Sequence, residues 1–334
     1  MIAVVRNRKP PAQAVTGMWM LVVGGAYFVA AELGLQLALV RGQVTPLWPP
    51  TGIALACLVL LGIRVWPGIA VAAFLVNLAA GSSALASAGI SVGNTLAPVC
   101  AYLLLKRVKF RPELDRLRDA LALVFLGAFG GMLISAAIGT GVLVLSGGIP
   151  AGHFMSVWSV WWTGDAMGVL TVAPLLLVAR STRWPRGARA MRWSEGAALI
   201  AGTFAVALIA TTGPVDLSFL VFPFLIWAAL RFQHIGALPC ALVASTVTIL
   251  AAAHGTGPFA DLGLTTKMIT LQAFNGSVAL TALLLAAVMS ERNQARLEVE
   301  RACDELSGLV SQLAPGWALD GLVIGAHRNR SRAG

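Results

Sequence analysis

Asp165 is the residue around which chemistry could be built. It stands in the stretch Trp158-Ser159-Val160-Trp161-Trp162-Thr163-Gly164-Asp165-Ala166-Met167-Gly168-Val169-Leu170, inside an apolar run from Val157 to Ala179. A carboxyl group in hydrocarbon costs several kcal/mol unless protein, water or a partner faces it. Sheltered there, it can bind a cation or a ligand amine, or relay a proton. The structural alternative is a hydrogen bond to a neighbouring helix. Trp158, Trp161 and Trp162 precede it, as an interfacial belt or a pocket wall would. Gly164 and Gly168 are four apart, so another helix can approach closely there.

Glu32 is a second acid in an apolar run, eight residues from its end. It is placed either in the outer headgroup region or beside Asp165 as an acid pair. Trp48-Pro49-Pro50-Thr51-Gly52 reads as a helix start, with the prolines fixing the first turn and Thr51 able to cap it. Trp48 then lies at the interface or against a ligand. Asn94 and Asn275 each fall near the outer end of a span, where they could line a shared pocket or bond helix to helix. The candidate ligand-binding set is therefore Asp165, Glu32, Trp48, Asn94, Trp161, Trp162 and Asn275.

Arg64 and Arg231 follow short apolar segments and read as topology signals. Gly127 and Gly131 read as packing positions. Nothing here is enzyme chemistry. There is no Ser/His/Asp arrangement, no His/Glu cluster and no phosphate loop, so no catalytic residue, metal or cofactor is expected. Cys57, Cys100 and Cys240 lie in apolar segments and Cys303 in a polar one, without metal or disulfide spacing, and they read as small fillers.

A membrane must hold these residues in place. The chain is 58% apolar and only 11% charged, against about a quarter charged in soluble domains. Its mean hydropathy is +0.82. The net charge of +10 is not a nucleic-acid signal, because the cations sit in short loops between apolar runs. Ten apolar segments are expected, at 18–40, 51–63, 65–80, 84–105, 119–146, 157–179, 195–212, 217–230, 235–253 and 267–289. Of the 24 lysines and arginines, all but Arg41 and Lys267 fall on one side, which puts both termini in the cytoplasm. Arg6, Arg8 and Lys9 before the first run mimic a signal peptide, but the run continues to Val40 and others follow, so a retained span is expected. The basic loops 106–118 and 180–192 could touch anionic headgroups, though setting topology is role enough. Segments 51–63 and 217–230 are short for a crossing, so each could pair with its successor as a re-entrant hairpin. The predicted fold class is an all-α polytopic bundle of about 8–10 transmembrane helices.

An internal repeat is expected as well. Leu61-Gly62-Ile63-Arg64 and Pro67-Gly68-Ile69-Ala70 resemble Ala229-Leu230-Arg231 and Ile235-Gly236-Ala237-Leu238. Ser91-Val92-Gly93-Asn94 resembles Gln272-Ala273-Phe274-Asn275. Two parallel four-helix units with two spans inserted would follow, and sites often lie where such units meet. The alternative is chance similarity among Ala/Leu/Gly-rich helices. After Met289 the chain turns polar. Ala295, Val299, Ala302, Leu306, Leu309 and Leu313 form a heptad seam suited to a parallel homodimer. Pro315-Gly316 stops that helix. The division is a basic segment 1–17, a membrane domain 18–290, a cytoplasmic helix 291–313 and a short basic tail 314–334.

Several landmarks stand together in order. They are Ala31-Glu32-Leu33-Gly34, Trp48-Pro49-Pro50-Thr51-Gly52, Gly62-Ile63-Arg64-Val65-Trp66-Pro67-Gly68, Gly93-Asn94-Thr95-Leu96, Trp161-Trp162-Thr163-Gly164-Asp165-Ala166-Met167-Gly168 with Ala173-Pro174, Phe222-Pro223-Phe224 leading to Trp227-Ala228-Ala229-Leu230-Arg231, and Ser290-Glu291-Arg292. In this order the chain resembles the MASE1 domain, a bacterial membrane-embedded sensory module, over about residues 18–300. The resemblance implies a sensory input in the bacterial cytoplasmic membrane, placed ahead of a histidine kinase, a diguanylate cyclase or phosphodiesterase, or a PAS domain. This sequence departs from that pattern. Only about 45 residues follow the last span, with no Gly-Gly-Asp/Glu-Glu-Phe motif, no kinase phosphoacceptor histidine and no nucleotide-binding glycine box. The expectation is a sensor acting on a separate histidine kinase or diguanylate cyclase. A small-solute transporter or channel is the alternative, favoured by the repeat, the short helices and the buried acid.

Overall fold

The computed structural model describes residues 12–36, 45–181, 190–213 and 217–313. Arg6, Arg8, Lys9, Val40, Arg41, Arg183, Arg186, Arg189, Pro315-Gly316 and the tail all lie outside them. The side chain of Leu313 is likewise outside the description. Helix is the regular structure throughout the described residues. In hydrocarbon, a helix satisfies every backbone N–H and C=O within its own segment, so long apolar runs have this one open solution.

The helices are α1 (Ala12–Gln36), α2 (Pro49–Leu61), α3 (Trp66–Ala79), α4 (Ala84–Arg107), α5 (Leu117–Ala122), α6 (Gly131–Leu145), α7 (Phe154–Ser181), α8 (Ala190–Thr212), α9 (Val221–Phe232), α10 (His234–His254) and α11 (Leu264–Leu313). A π-helical stretch, Leu123–Gly130, joins α5 to α6 in one continuous run. Each of the ten expected segments thus corresponds to one helical run. Seven runs are long and apolar enough to cross a membrane, and α2, α3 and α9 are shorter apolar helices. At about 1.5 Å per residue, α2 covers roughly 20 Å of a core about 30 Å thick. The chain is an all-α polytopic membrane protein.

The described residues divide into two units, one up to Met289 and one from Ser290. In the first, one apolar cluster surrounds α7 with Leu55, Leu105, Met132, Leu170 and Leu177. A second joins α8, α9 and α10 to Val278, Ala282 and Ala286 of α11. Ala279, Leu283 and Ala287 of α11 turn toward the α7 cluster instead. Alanine holds four of these six positions.

The closest backbone approach is between α7 and the start of α2. A Cβ on Gly168 would fall on the carbonyl oxygen of Trp48, and one on Gly52 on the carbonyl oxygen of Gly168. The Trp48 N–H donates to the Gly164 carbonyl at 3.0 Å. The small pair in α7 is therefore filled by the segment leading into α2. Gly127 and Gly131 also sit at packing contacts, against Leu55 and Ala101 respectively.

The short helices α2 and α9 both end in a backbone break, two residues before Arg64 in one and two residues after Arg231 in the other. Helix α2 ends at Gly62, φ +86°, and α9 ends at Gln233, φ +53°. Each N–H still donates to the carbonyl four residues back, Leu58 and Ala229, at 3.0 Å. Arg64 follows α2 and is exposed, and Arg231, in the last turn of α9, pairs with Glu195 of α8 at 2.9 Å.

Gly168→Ala is expected to destabilise by about 3 kcal/mol or more, because its methyl would meet backbone that cannot step aside. Gly141→Ala, whose Cβ would meet open space, is expected to change stability by less than about 1 kcal/mol. Thermal unfolding of the two variants in detergent checks the difference.

Candidate functional site

Asp165 is 1% exposed, among the most buried polar residues described. Two neighbouring helices supply its partners. Thr51 of α2 donates its hydroxyl to Oδ1 at 2.6 Å, and Ser135 of α6 donates to Oδ2 at 2.7 Å. Trp161, one turn earlier on α7, lines the same cavity as this carboxyl group. Gly139 makes room for that indole, since a Cβ there would lie 2.6 Å from the ring.

The network extends outward. Ser135 Oγ is 2.9 Å from Oδ1 of Asn94 on α4, and the buried Tyr27 of α1 lies beside Asn94 and Trp48. A serine hydroxyl carries one proton, so it cannot donate to Asp165 and Asn94 together. Amide orientation is set by the network. With Asn94 turned to donate through Nδ2, Ser135 keeps its one proton for Asp165.

Beside this network lies a small cavity of about 50 Å³, lined by Asp165, Asn94, Trp48, Trp161, Asn77 and Thr45 among others. Its rim is tied down from two sides. Trp48 N bonds Gly164 O of α7, and Gln272 of α11 donates to Pro46 O at 3.1 Å.

Four of the seven candidates thus share one cavity: Asp165, Trp48, Asn94 and Trp161. The other three lie elsewhere. Glu32 is exposed. Helix α1 turns Tyr27, Ala31 and Gly34 inward, and Glu32, one residue past Ala31, is rotated about 100° from that face. The acid pair with Asp165 does not form. Trp162 stacks on Trp158 at 5.6 Å and donates its indole N–H to the Phe129 carbonyl at 2.8 Å, so it braces the π-helical stretch. Asn275 is 1% exposed, outside the cavity, with neither Nδ2 nor Oδ1 partnered among the described residues. No pocket shared by Asn94 and Asn275 is seen among those residues.

Thr51 also corrects an expectation. The residue at the N-cap of α2 is Trp48, which makes no side-chain cap bond, and the Thr51 hydroxyl goes to Asp165 instead. Tyr27, Asn77 and Ser135 were not legible as site residues. Isolated polar groups in apolar runs are common and most bond their own helix, as Thr95, Thr171 and Thr248 do here. Among the described residues no group of three or more His, Cys, Asp or Glu is placed to hold a metal.

Comparison with known proteins agrees with this architecture. The MASE1 family model matches residues 19–293. The chain therefore belongs to the MASE1 family, and MASE1 is a membrane sensory domain. Part of it is similar to the probable diguanylate cyclase DgcE of Escherichia coli (strain K12), at 29% identity over 161 residues. That match covers 47% of this chain and 14% of the relative. No solved structure matches. The transporter alternative gains nothing from these comparisons.

Thr51→Val and Ser135→Ala should each destabilise by about 1–3 kcal/mol, since each strips a buried carboxyl group of a donor. Asn275→Leu should have the opposite sign, stabilising by about 1–2 kcal/mol by removing two unpartnered polar atoms. Unfolding midpoints of the three variants against wild type decide both.

Proposed function

We propose that this membrane sensory domain takes its stimulus at the Asp165 cavity and passes it through α11 to a catalytic partner in the cytoplasm. Charge distribution supports the sidedness, with the cavity in the outer half of a bacterial inner membrane and both termini inside. The observation that carries the route is α11 itself, one helix from Leu264 to Leu313. The membrane part of this helix is packed. From Glu291 to Leu309 every residue is exposed, including Ala295, Val299, Ala302, Leu306 and Leu309 of the heptad seam. Seam leucines at 54–61% exposure are what a missing second helix would cover. The reading is a homodimer paired through 291–313, acting on a diguanylate cyclase or a histidine kinase, with no catalytic chemistry in these residues. The likeness to DgcE favours the cyclase.

A ligand can move such a system only by binding one packing of the bundle more tightly than another. Gln272 gives a physical link, because it ties α11 to the cavity rim.

In a Cys303→Ser background, Leu306→Cys at the seam should cross-link between copies in native membranes. Asp304→Cys, two residues back on the helix's far side, should not. Equal cross-linking at both positions argues against the seam. With a cyclase reporter fused after Leu313, Asp165→Asn should lock cyclic di-GMP output at one level, whereas a response identical to wild type places the stimulus elsewhere.

A further inference from the structure

The polar groups around the Asp165 cavity have an uneven supply of protons. Thr45 donates its hydroxyl to Leu47 O at 2.9 Å. Asn77 of α3 commits one amide N–H to Ala73 O at 2.8 Å, which leaves its second N–H as a donor and its Oδ1 as an acceptor. The Thr51 and Ser135 hydroxyls are spent on Asp165. What remains for a guest is mostly acceptors: the carboxyl group of Asp165 on α7, the amide oxygen of Asn77 on α3 and the hydroxyl lone pairs of Thr45. No lysine, arginine or histidine lines the cavity, and no ion pair to Asp165 occurs among the described residues.

A guest for such a cavity donates several hydrogen bonds and carries one positive charge. Size limits it further. One water-sized group occupies about 10–15 Å³ on this measure, so the cavity holds about four. Indole walls at Trp48 and Trp161 favour a short apolar stem beside the charged head and strengthen the attraction by excluding water. We propose that the cavity is a binding site for a primary ammonium group on a stem of about two carbons. It rests on the sensory reading only in making this guest the stimulus.

Two sources offer that chemistry: a free short-chain amine and the headgroup of phosphatidylethanolamine. The full chain in nanodiscs of phosphatidylglycerol alone has neither. Titration with ethylammonium chloride should then give a saturable change in tryptophan fluorescence. Ethanol and acetate, matched in size, should give none at equal concentration and ionic strength, and tetraethylammonium should be excluded. Asp165→Asn should weaken ethylammonium at least about tenfold, and Asn77→Leu, which leaves Asp165 and its donors in place, about threefold to tenfold. Nanodiscs containing phosphatidylethanolamine separate the sources. Suppressed ethylammonium binding assigns the site to the headgroup, and unchanged binding assigns it to the free amine.

Ethanol or acetate binding as well as ethylammonium overturns the proposal, whatever the variants do. So does the absence of saturable ethylammonium binding to wild type together with no effect of phosphatidylethanolamine. Saturable, Asp165-dependent binding that leaves seam cross-linking unchanged keeps the amine site and removes its sensory role.

Discussion

A carboxyl group in the interior of a membrane bundle must be surrounded, and the surroundings of Asp165 hold the first half of this fold together. Thr51 and Ser135 reach it from α2 and α6, and Asn94 extends the set to α4. Hydrogen bonds around one side chain thereby join four helices, with Tyr27 of α1 buried beside them. The contact is possible because Gly52, Gly164 and Gly168 let the start of α2 lie directly against α7. With bulkier residues there, Thr51 would stand too far off and the carboxyl group would lack a donor in a medium with no water to replace it.

Much of this was legible in the sequence, for two physical reasons. Hydrocarbon allows few structures, so apolar runs reported helices one for one. A buried acid is costly, so Asp165 pointed to its own shelter. The close approach at Gly164 and Gly168 followed from residue size alone. What could not be read was rotation. Glu32 and Ala31 are adjacent in sequence and face opposite environments, and in a run apolar on all sides no periodicity says which residue turns inward. Trp161 and Trp162 divide in the same way, one to the cavity and one to the Phe129 carbonyl. Ser135 gave no signal because a hydroxyl in a span usually bonds its own backbone. Thr51 gave the wrong one, since the same residue type caps helices.

Membership of the MASE1 family makes the molecule an input device, and its construction fits that office. The half around Asp165 is cross-linked by hydrogen bonds that apolar surroundings keep strong. The half formed by α8, α9 and α10 is held mainly by apolar packing, with Leu225, Ala228, Ala237 and Ala244 at its centre. Helix α11 lies against both, bonded to the first at the Thr45–Trp48 segment through Gln272.

The alanines on the inner face of α11 have a mechanical consequence. Large side chains interlock like gear teeth, and a helix carrying them can shift only by whole steps. Ala279, Ala282, Ala286 and Ala287 present shallow relief, so a small axial slide or roll lifts little surface out of contact. Over that stretch a roll of a fraction of a turn is resisted chiefly by Val278 and Leu283.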